Sequence, residues 1–201
     1  MLGGTFTERA RRAQILRCAV EAIAELGYAQ ASLAEIARRA GVSKGVVSYY
    51  FAGKDDLLTQ LVVDVYTRAG TAISARLEGV SSPAAAIGVY VEANLAFLAA
   101  HPADLQAVME VASNLRDPDG GLRFRPRGDD PVLEHLAGLL RAGQQAGELR
   151  EFDPRTVALM VRAVIDAAAG RLLTDPGFDL EAYSREVVAL MMHGIDRGQP
   201  R

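Results

Sequence analysis

Apolar residues recur three and four positions apart along almost the whole chain, and short breaks separate these periodic stretches. This spacing places apolar side chains on one face of an α-helix, so it predicts amphipathic helices and no strand. The breaks contain capping serines and aspartates, helix-ending glycines, and prolines at first helical positions. We therefore expect an all-α fold of about nine helices. Their predicted ranges are 7–26, 33–40, 44–51, 54–77, 83–100, 102–115, 131–146, 154–174 and 180–196.

The longest break, residues 116–129, contains three glycines and two prolines and has no apolar period. This composition is typical of turns and loops rather than of helices. We expect a mobile surface loop there.

A stretch in the first quarter of the chain has the pattern of a helix-turn-helix. Ser32 can cap a helix, and Glu35 three residues later completes a capping box. Gly41 stands where a helix would end in a left-handed conformation, and Ser43 can cap a second helix of little more than two turns. In helix-turn-helix proteins the second helix enters the major groove of DNA. The pattern therefore indicates a DNA-binding module.

Basic residues are concentrated in the same region. Residues 1–54 contain eight Lys and Arg against four Glu, a net charge of +4, so the remainder must carry −7 to give the chain's −3. A basic N-terminal quarter on an acidic body indicates a module that binds a polyanion. Ordinary variation in solvated charge gives similar imbalances, and the helix-turn-helix pattern favours the first interpretation. Arg38 and Arg39 are expected on a solvated face, where they add long-range attraction.

Length and composition exclude several classes of protein. With 201 residues, half of them hydrophobic, the chain can form one globular body or a small domain attached to a larger one. We see no apolar run of membrane-spanning length and no secretory signal, and the single Cys18 excludes an internal disulfide, so we expect a cytoplasmic protein. His135 and His193 lie on different predicted helices without a metal-ligand partner, and no phosphate-binding loop or nucleophile motif is present. The sequence therefore predicts no enzyme, metal site or cofactor.

The short second helix carries the candidate DNA contacts. Lys44 can donate to guanine O6 and N7 or to a phosphate, and Ser48 to a base edge or a phosphate. Gly45 either lets the backbone approach DNA closely or only weakens the helix, at about 1 kcal/mol relative to Ala. We prefer the DNA interpretation. Val46 is expected to face DNA, and Val47 to face the core.

Aromatic residues follow on the same helix, and a lysine begins the next one. Tyr49 and Tyr50 are neighbours and cannot both point inward, so at least one hydroxyl should reach a phosphate. Phe51 is the better core candidate. Lys54 begins the next predicted helix, where backbone N–H groups also favour a phosphate.

These residues together resemble the TetR family of bacterial transcriptional regulators. The resemblance is carried by GYAQASLAEIARRAGVSKGVVSYYFAGKDDLL, between a basic first helix and an all-helical acidic remainder, and is specific over residues 8–60. It implies a helix-turn-helix DNA-binding domain over residues 1–54 and a helical ligand-binding and dimerisation domain over residues 55–201. It also implies a homodimer through the last two helices, a double-stranded DNA operator, and a small-molecule effector bound among the middle helices.

The resemblance adds three expectations about single residues. Ala34 matches a family position that can reach a base, and Ser32 matches one that can contact a phosphate. Ser48 stands where the family's commonest recognition helix has Tyr, so no relative's operator sequence can be carried over to this chain. The small residues at 167–170 would allow two helices to approach closely in a dimer, although the same helices could instead close the monomer's core.

Polar residues that interrupt the middle helices are the candidate effector contacts. Asn94 and Glu110 are the foremost of them because both interrupt apolar helix faces. Arg162 and Asp166 are four residues apart and could equally form an ion pair within one helix or between subunits. The full candidate set is Tyr66, Tyr90, Asn94, Glu110, Asn114, Arg162 and Asp166.

The sequence thus predicts a ligand-responsive transcriptional regulator, a repressor released from a pseudo-palindromic operator by a small, largely apolar effector. It predicts no membrane partner. Two other classes are weaker alternatives. An acidic or glycine-free recognition helix would indicate an all-helical carrier or lipid binder without DNA binding, and this chain has neither feature. An enzyme would need a catalytic set that the sequence lacks.

Overall fold

The computed structural model describes residues 6–125 and 130–197, and within these residues it contains nine α-helices and two isolated β-bridges but no strand. The all-α prediction is confirmed. The first helix is longer than predicted because it resumes after a kink at Gly27, where φ is 79°. The helices are α1 Phe6–Gln30, α2 Leu33–Arg39, α3 Lys44–Tyr50, α4 Lys54–Leu77, α5 Pro83–Ala100, α6 Pro102–Asn114, α7 Pro131–Gln145, α8 Pro154–Thr174 and α9 Leu180–Ile195.

Side-chain caps begin most of these helices, as the sequence predicts. The oxygens of Ser32, Ser43 and Ser82 each accept a hydrogen bond from the backbone N–H three residues further on. One detail of the prediction is wrong: Glu35 does not complete a capping box. Its carboxylate accepts hydrogen bonds from two arginines of α2, and the Ser32 N–H donates instead to the Gln30 carbonyl at 2.8 Å.

The chain divides into two compact units, which we call the first and second unit. The first consists of Met1–Arg68 with Ala103–Arg125, and the second of Ala69–Pro102 with Pro126–Arg201. Most of α6 therefore belongs to the same unit as the helix-turn-helix. The predicted boundary after residue 54 separates a DNA-binding domain from a ligand-binding domain, whereas the two units are defined by their internal contacts. The predicted boundary stays a prediction.

Two polar contacts attach α6 within the first unit. The Arg68 guanidinium on α4 donates to both oxygens of Asp104 on α6, at 2.7 and 2.8 Å. The Glu110 carboxylate, two turns further along α6, accepts a hydrogen bond from the Tyr28 backbone N–H at 3.2 Å. Because Asp104 is buried, its charge depends on this guanidinium for compensation.

Residues 116–125 form a tight hairpin rather than the mobile loop that the sequence predicts. The Arg123 N–H donates to the Leu115 carbonyl at 2.9 Å, and the Arg123 guanidinium contacts Asp117 at 3.0 Å and the Thr59 hydroxyl of α4 at 2.9 Å. The expectation of a mobile loop overlooked these hydrogen bonds because it rested on composition alone. Residues 126–129 of the predicted loop lie outside the described residues.

The second unit is built around α5, which packs against α7, α8 and α9. By length and composition α5 is apolar enough to cross a membrane, with a mean hydropathy of 1.4, and it is the one described helix of which this is true. The expectation that no such run exists is corrected here. The central helix of a bundle has the same composition, because it is covered by neighbours on several sides. Ile87, Tyr90, Val91 and Leu95 are all buried in this core.

The Arg68–Asp104 contact should stabilise the first unit measurably. We expect Asp104→Asn to lower the free energy of unfolding by about 1–2 kcal/mol, because the guanidinium is part-exposed and keeps Asp64 as a second partner. Asp64→Asn is the matched control and should cost less than about 0.5 kcal/mol, since its single contact is solvated. Urea denaturation measures both, and equal losses would contradict the special role of Asp104.

Candidate nucleic-acid interface

The position of α3 is determined by the turn before it and by two buried side chains. Gly41 ends α2 with φ at 64°, a conformation that suits glycine, and the Val42 N–H reaches back to the Ala37 carbonyl at 3.0 Å. Val47 on α3 is fully buried, and Phe51 directly after α3 is nearly so. The opposite side of this seven-residue helix is therefore held outward.

The outward side of α3 presents the residues that the sequence predicts for DNA. Val47 is buried, as predicted, and Val46 is exposed, whereas the DNA contact of Val46 stays a prediction. Tyr49 is 73% exposed, and the half-buried Tyr50 ring meets it edge-on at 5.1 Å between centroids. The exposed residues of α3 are Lys44, Gly45, Val46, Ser48 and Tyr49.

Nothing in the described part of the chain requires glycine at position 45. A Cβ built there meets only the Ser43 Oγ, at an ordinary van der Waals distance of 3.6 Å, and the backbone does not have a positive φ. Glycine in a helix costs stability relative to alanine. The absence of an internal reason for this cost favours a reason outside the chain, such as close approach to DNA.

The two remaining candidates are the residue that caps α2 and a residue of its first turn. Ser32 and Ala34 are both exposed at the start of α2. The Ser32 hydroxyl accepts the Glu35 N–H at 3.2 Å and can still donate its own proton to a phosphate. Their DNA contacts stay predictions.

Lys54 has an internal role that the sequence does not reveal. Its Nζ donates to the Tyr28 carbonyl at 2.7 Å and lies 4.7 Å from the centroid of the Tyr28 ring. Burial lowers the pKa of this ammonium group. Lys54 thus joins the end of α1 to the start of α4. A phosphate contact here stays a prediction, and the backbone N–H groups at the start of α4 are better placed to make it than the Lys54 ammonium group.

The arginines of α2 are used within the protein more than the sequence predicts. Arg39 is only 15% exposed and binds both Glu25 and Glu35 at 2.8 Å, so its predicted solvated position is wrong. Arg38 is exposed as expected but also pairs with Glu35 at 2.7 Å. Hydrogen bonds from Arg38 and Arg39 lower the pKa of Glu35 to about 2. Glu35 therefore stays ionised under all ordinary conditions and offsets part of the positive charge of α2.

Three of the candidate effector contacts belong to the first unit. Glu110 is half-buried and is bound to the Tyr28 N–H, and the Asn114 amide donates to the Glu110 carbonyl at 2.9 Å. Tyr66 is exposed on α4. Glu110 therefore attaches α6 within the unit. The sequence reasoning missed this role because the two partners are far apart along the chain.

The other four candidates belong to the second unit. Tyr90 is buried, and the Asn94 amide donates to its carbonyl at 2.8 Å. Arg162 and Asp166 form the intrahelical ion pair that was one of the two alternatives, at 3.0 Å. Burial raises the pKa of Tyr90, and the nearby positive charge of Arg162 offsets part of this effect. A phenol, an amide and an ion pair thus lie on apolar helices, and their contact with a ligand stays a prediction.

The described residues contain no group of three His, Cys, Asp or Glu side chains placed to hold a metal ion.

The known proteins that this chain resembles are named as regulators. The sequence model of a family described as "Bacterial regulatory proteins, tetR family" matches residues 15–61. The "Fatty acid metabolism regulator protein" of Bacillus subtilis (strain 168) is 29% identical over 196 residues, which cover 94% of this chain and 97% of the relative. "HTH-type transcriptional regulator BetI 2" of Chromohalobacter salexigens is 42% identical, but over 43% of either chain.

A solved structure resembles nearly the whole chain. It is the transcriptional regulator FadR from Bacillus subtilis in complex with stearoyl-CoA, with a TM-score of 0.76 and 27% identity. The match covers 91% of this chain and 98% of that one. The likeness therefore extends beyond the helix-turn-helix to the remaining helices.

The two interpretations of Gly45 predict different outcomes for one substitution. Gly45→Ala should raise the free energy of unfolding by up to about 1 kcal/mol and still weaken DNA binding roughly tenfold, because the new methyl separates helix and DNA. Gly70→Ala, at an open position of α4, is the matched control and should change stability alone. Urea denaturation and fluorescence anisotropy measure the two effects. A Gly45→Ala variant that binds DNA as tightly as the wild type would leave only the helix-weakening interpretation.

Proposed function

Because this chain belongs to the TetR family of bacterial transcriptional regulators, we propose that it is a cytoplasmic homodimeric repressor released from its operator by a long-chain acyl-CoA. It is a ligand-responsive, DNA-binding regulator, and its relatives are named as regulators rather than as enzymes. The observation that carries the proposal is the outward side of α3, where Lys44, Gly45 and Ser48 are exposed beside an inward Val47.

The recognition helix suits a mixed mode of binding. Lys44 is the one long cationic side chain on the exposed side of α3, so it is our candidate for reading a guanine. Ser48 is short, and Val46 and Tyr49 offer apolar or hydroxyl contacts. In a dimer, two such helices would enter successive major grooves about 34–36 Å apart, which requires a pseudo-palindromic operator.

The last two helices support the dimer. Leu159 and Met160 on α8 are 57% and 58% exposed, and Leu190 on α9 is 72% exposed. Other residues of both helices, such as Val161 and Ile195, are buried in the monomer's core, so the core alone does not account for the three exposed ones. Exposed large apolar side chains of this kind are what an interface between two copies would cover. A two-fold contact through α8 and α9 would cover them and form a four-helix bundle.

The effector class rests on the relatives that match the whole chain. One is named as a regulator of fatty acid metabolism, and one solved structure holds stearoyl-CoA. The matches to proteins named BetI span between 34% and 56% of the length of those proteins, and they say little about the ligand of this chain. The second unit is rich in buried apolar side chains around α5, and an acyl chain requires such surroundings.

The first unit offers a route from effector to DNA. The start of α4 and most of α6 belong to the unit that carries α3, and the contacts of Arg68 with Asp104 and of Glu110 with Tyr28 bind them there. A shift of α4 on effector binding would therefore move α3 and change the spacing of the two recognition helices. DNA and effector then bind antagonistically, because each favours a different state.

Lys44→Ala should weaken operator binding at least tenfold, because a bidentate contact with a base is worth about 1–3 kcal/mol and the dimer makes two of them. Arg17→Ala, an exposed arginine on α1, is the control for loss of charge alone. Anisotropy with an operator selected from random sequence measures affinity, and sedimentation velocity should show an unchanged dimer. Unchanged affinity in Lys44→Ala would contradict the assignment of α3, and a wild-type monomer at micromolar concentration would contradict the dimer.

Stearoyl-CoA should displace the protein from its operator, whereas free CoA and acetyl-CoA should not, because the acyl chain supplies the apolar contact. By linkage, operator DNA must weaken stearoyl-CoA binding by the same factor by which stearoyl-CoA weakens DNA binding. Calorimetry with and without operator measures the affinity for stearoyl-CoA, and anisotropy with and without stearoyl-CoA measures the affinity for DNA. This effector class would be excluded if free CoA displaced the protein as well as stearoyl-CoA does, or if acyl-CoA thioesters of every chain length failed to displace it.

A further inference from the structure

The positive charge available to DNA lies elsewhere than composition suggests. Of the eight basic residues in positions 1–54, Arg38 and Arg39 are paired with carboxylates, and the Lys54 Nζ is bound to a backbone carbonyl. Lys44 remains on α3. The other exposed cations of this region are arginines on α1, outside the helix-turn-helix.

One of these α1 arginines lies against the end of the recognition helix. The Arg12 guanidinium is 5.4 Å from the centroid of the Phe51 ring, and Phe51 is the residue that caps α3. Arg12 is exposed, and in the part of the chain that the structure describes no carboxylate forms an ion pair with it. Arg9 is exposed one turn earlier on the same side of α1.

We infer that Arg12, with Arg9 beside it, binds the phosphate backbone at the edge of the major groove that α3 occupies. The major groove is about 12 Å wide, and an α-helix with its side chains is about 10–12 Å across, so the recognition helix fills it. A cation next to the residue that caps this helix therefore meets the wall of the groove, which is a phosphate strand. This inference rests on the proposed DNA-binding function and extends the interface to α1.

The geometry suits positioning rather than base reading. The guanidinium carbon lies over the Phe51 ring at 5.4 Å from its centroid, and the N–H groups of the guanidinium can still donate to phosphate oxygens. Because Phe51 is buried and adjoins α3, a phosphate held by Arg12 is placed at a defined distance from the recognition helix. Contacts of this kind set register and orientation and carry no sequence information themselves.

The test is the salt dependence of DNA binding. Each phosphate contact contributes about 0.9 to the slope of log K against log salt concentration, so Arg12→Gln should lower the slope by about 1.8 per dimer. Its affinity should fall roughly tenfold for operator and non-operator duplexes alike, since the contact is independent of sequence. Arg17→Gln is the matched control: it removes the same charge from an exposed position of α1 about 140° around the helix.

A second variant distinguishes the loss of a phosphate contact from an effect on folding. Arg12→Lys keeps the charge and should retain most of the slope, and urea denaturation of all variants reports any loss of the ring contact. A wild-type slope in Arg12→Gln, or an equal decrease in Arg17→Gln, would overturn the inference and leave the proposed function intact. If the wild type binds neither the selected operator nor any other duplex, both the inference and the proposed function fail.

Discussion

The burial of Val47 and Phe51 is the constraint on which the DNA-binding surface depends. A helix of seven residues is not stable alone in water, so α3 exists because these two side chains are held in a core. The turn at Gly41 sets the direction in which the helix leaves α2. With one side buried, the other must face outward. The chemistry of Lys44, Gly45 and Ser48 is thus displayed by packing rather than by its own contacts.

Carboxylates organise the first unit as much as apolar residues do. Glu35 holds the arginines of α2, and Asp104 and Glu110 attach α6 to α4 and to the end of α1. The Glu35 contacts use up charge that composition alone would assign to the DNA surface. The Asp104 and Glu110 contacts bind the helix that follows α5 to the unit that carries the recognition helix. These α6 contacts therefore serve stability and, in the proposed mechanism, communication with the effector.

The second unit has a different character. Its central helix α5 is apolar on most of its surface and is covered by three other helices, while Tyr90, Asn94 and the Arg162–Asp166 pair bring polar groups onto these helices. An acyl thioester has the same division, with a long apolar chain and a polar headgroup. The exposed leucines and methionine of α8 and α9 lie on the helices to which the family resemblance assigns the dimer contact.

The helices, their caps and the two sides of α3 follow from the sequence alone, because the apolar period and the capping residues act within a few positions along the chain. The pattern therefore predicts the buried position of Val47 and the left-handed conformation of Gly41, and the structure has both. Only the tertiary structure decided which distant partners the charged side chains bind. Lys54 and Glu110 both bind the backbone of Tyr28, across 26 and 82 residues. Such partners are brought together by packing, and local pattern contains no record of them.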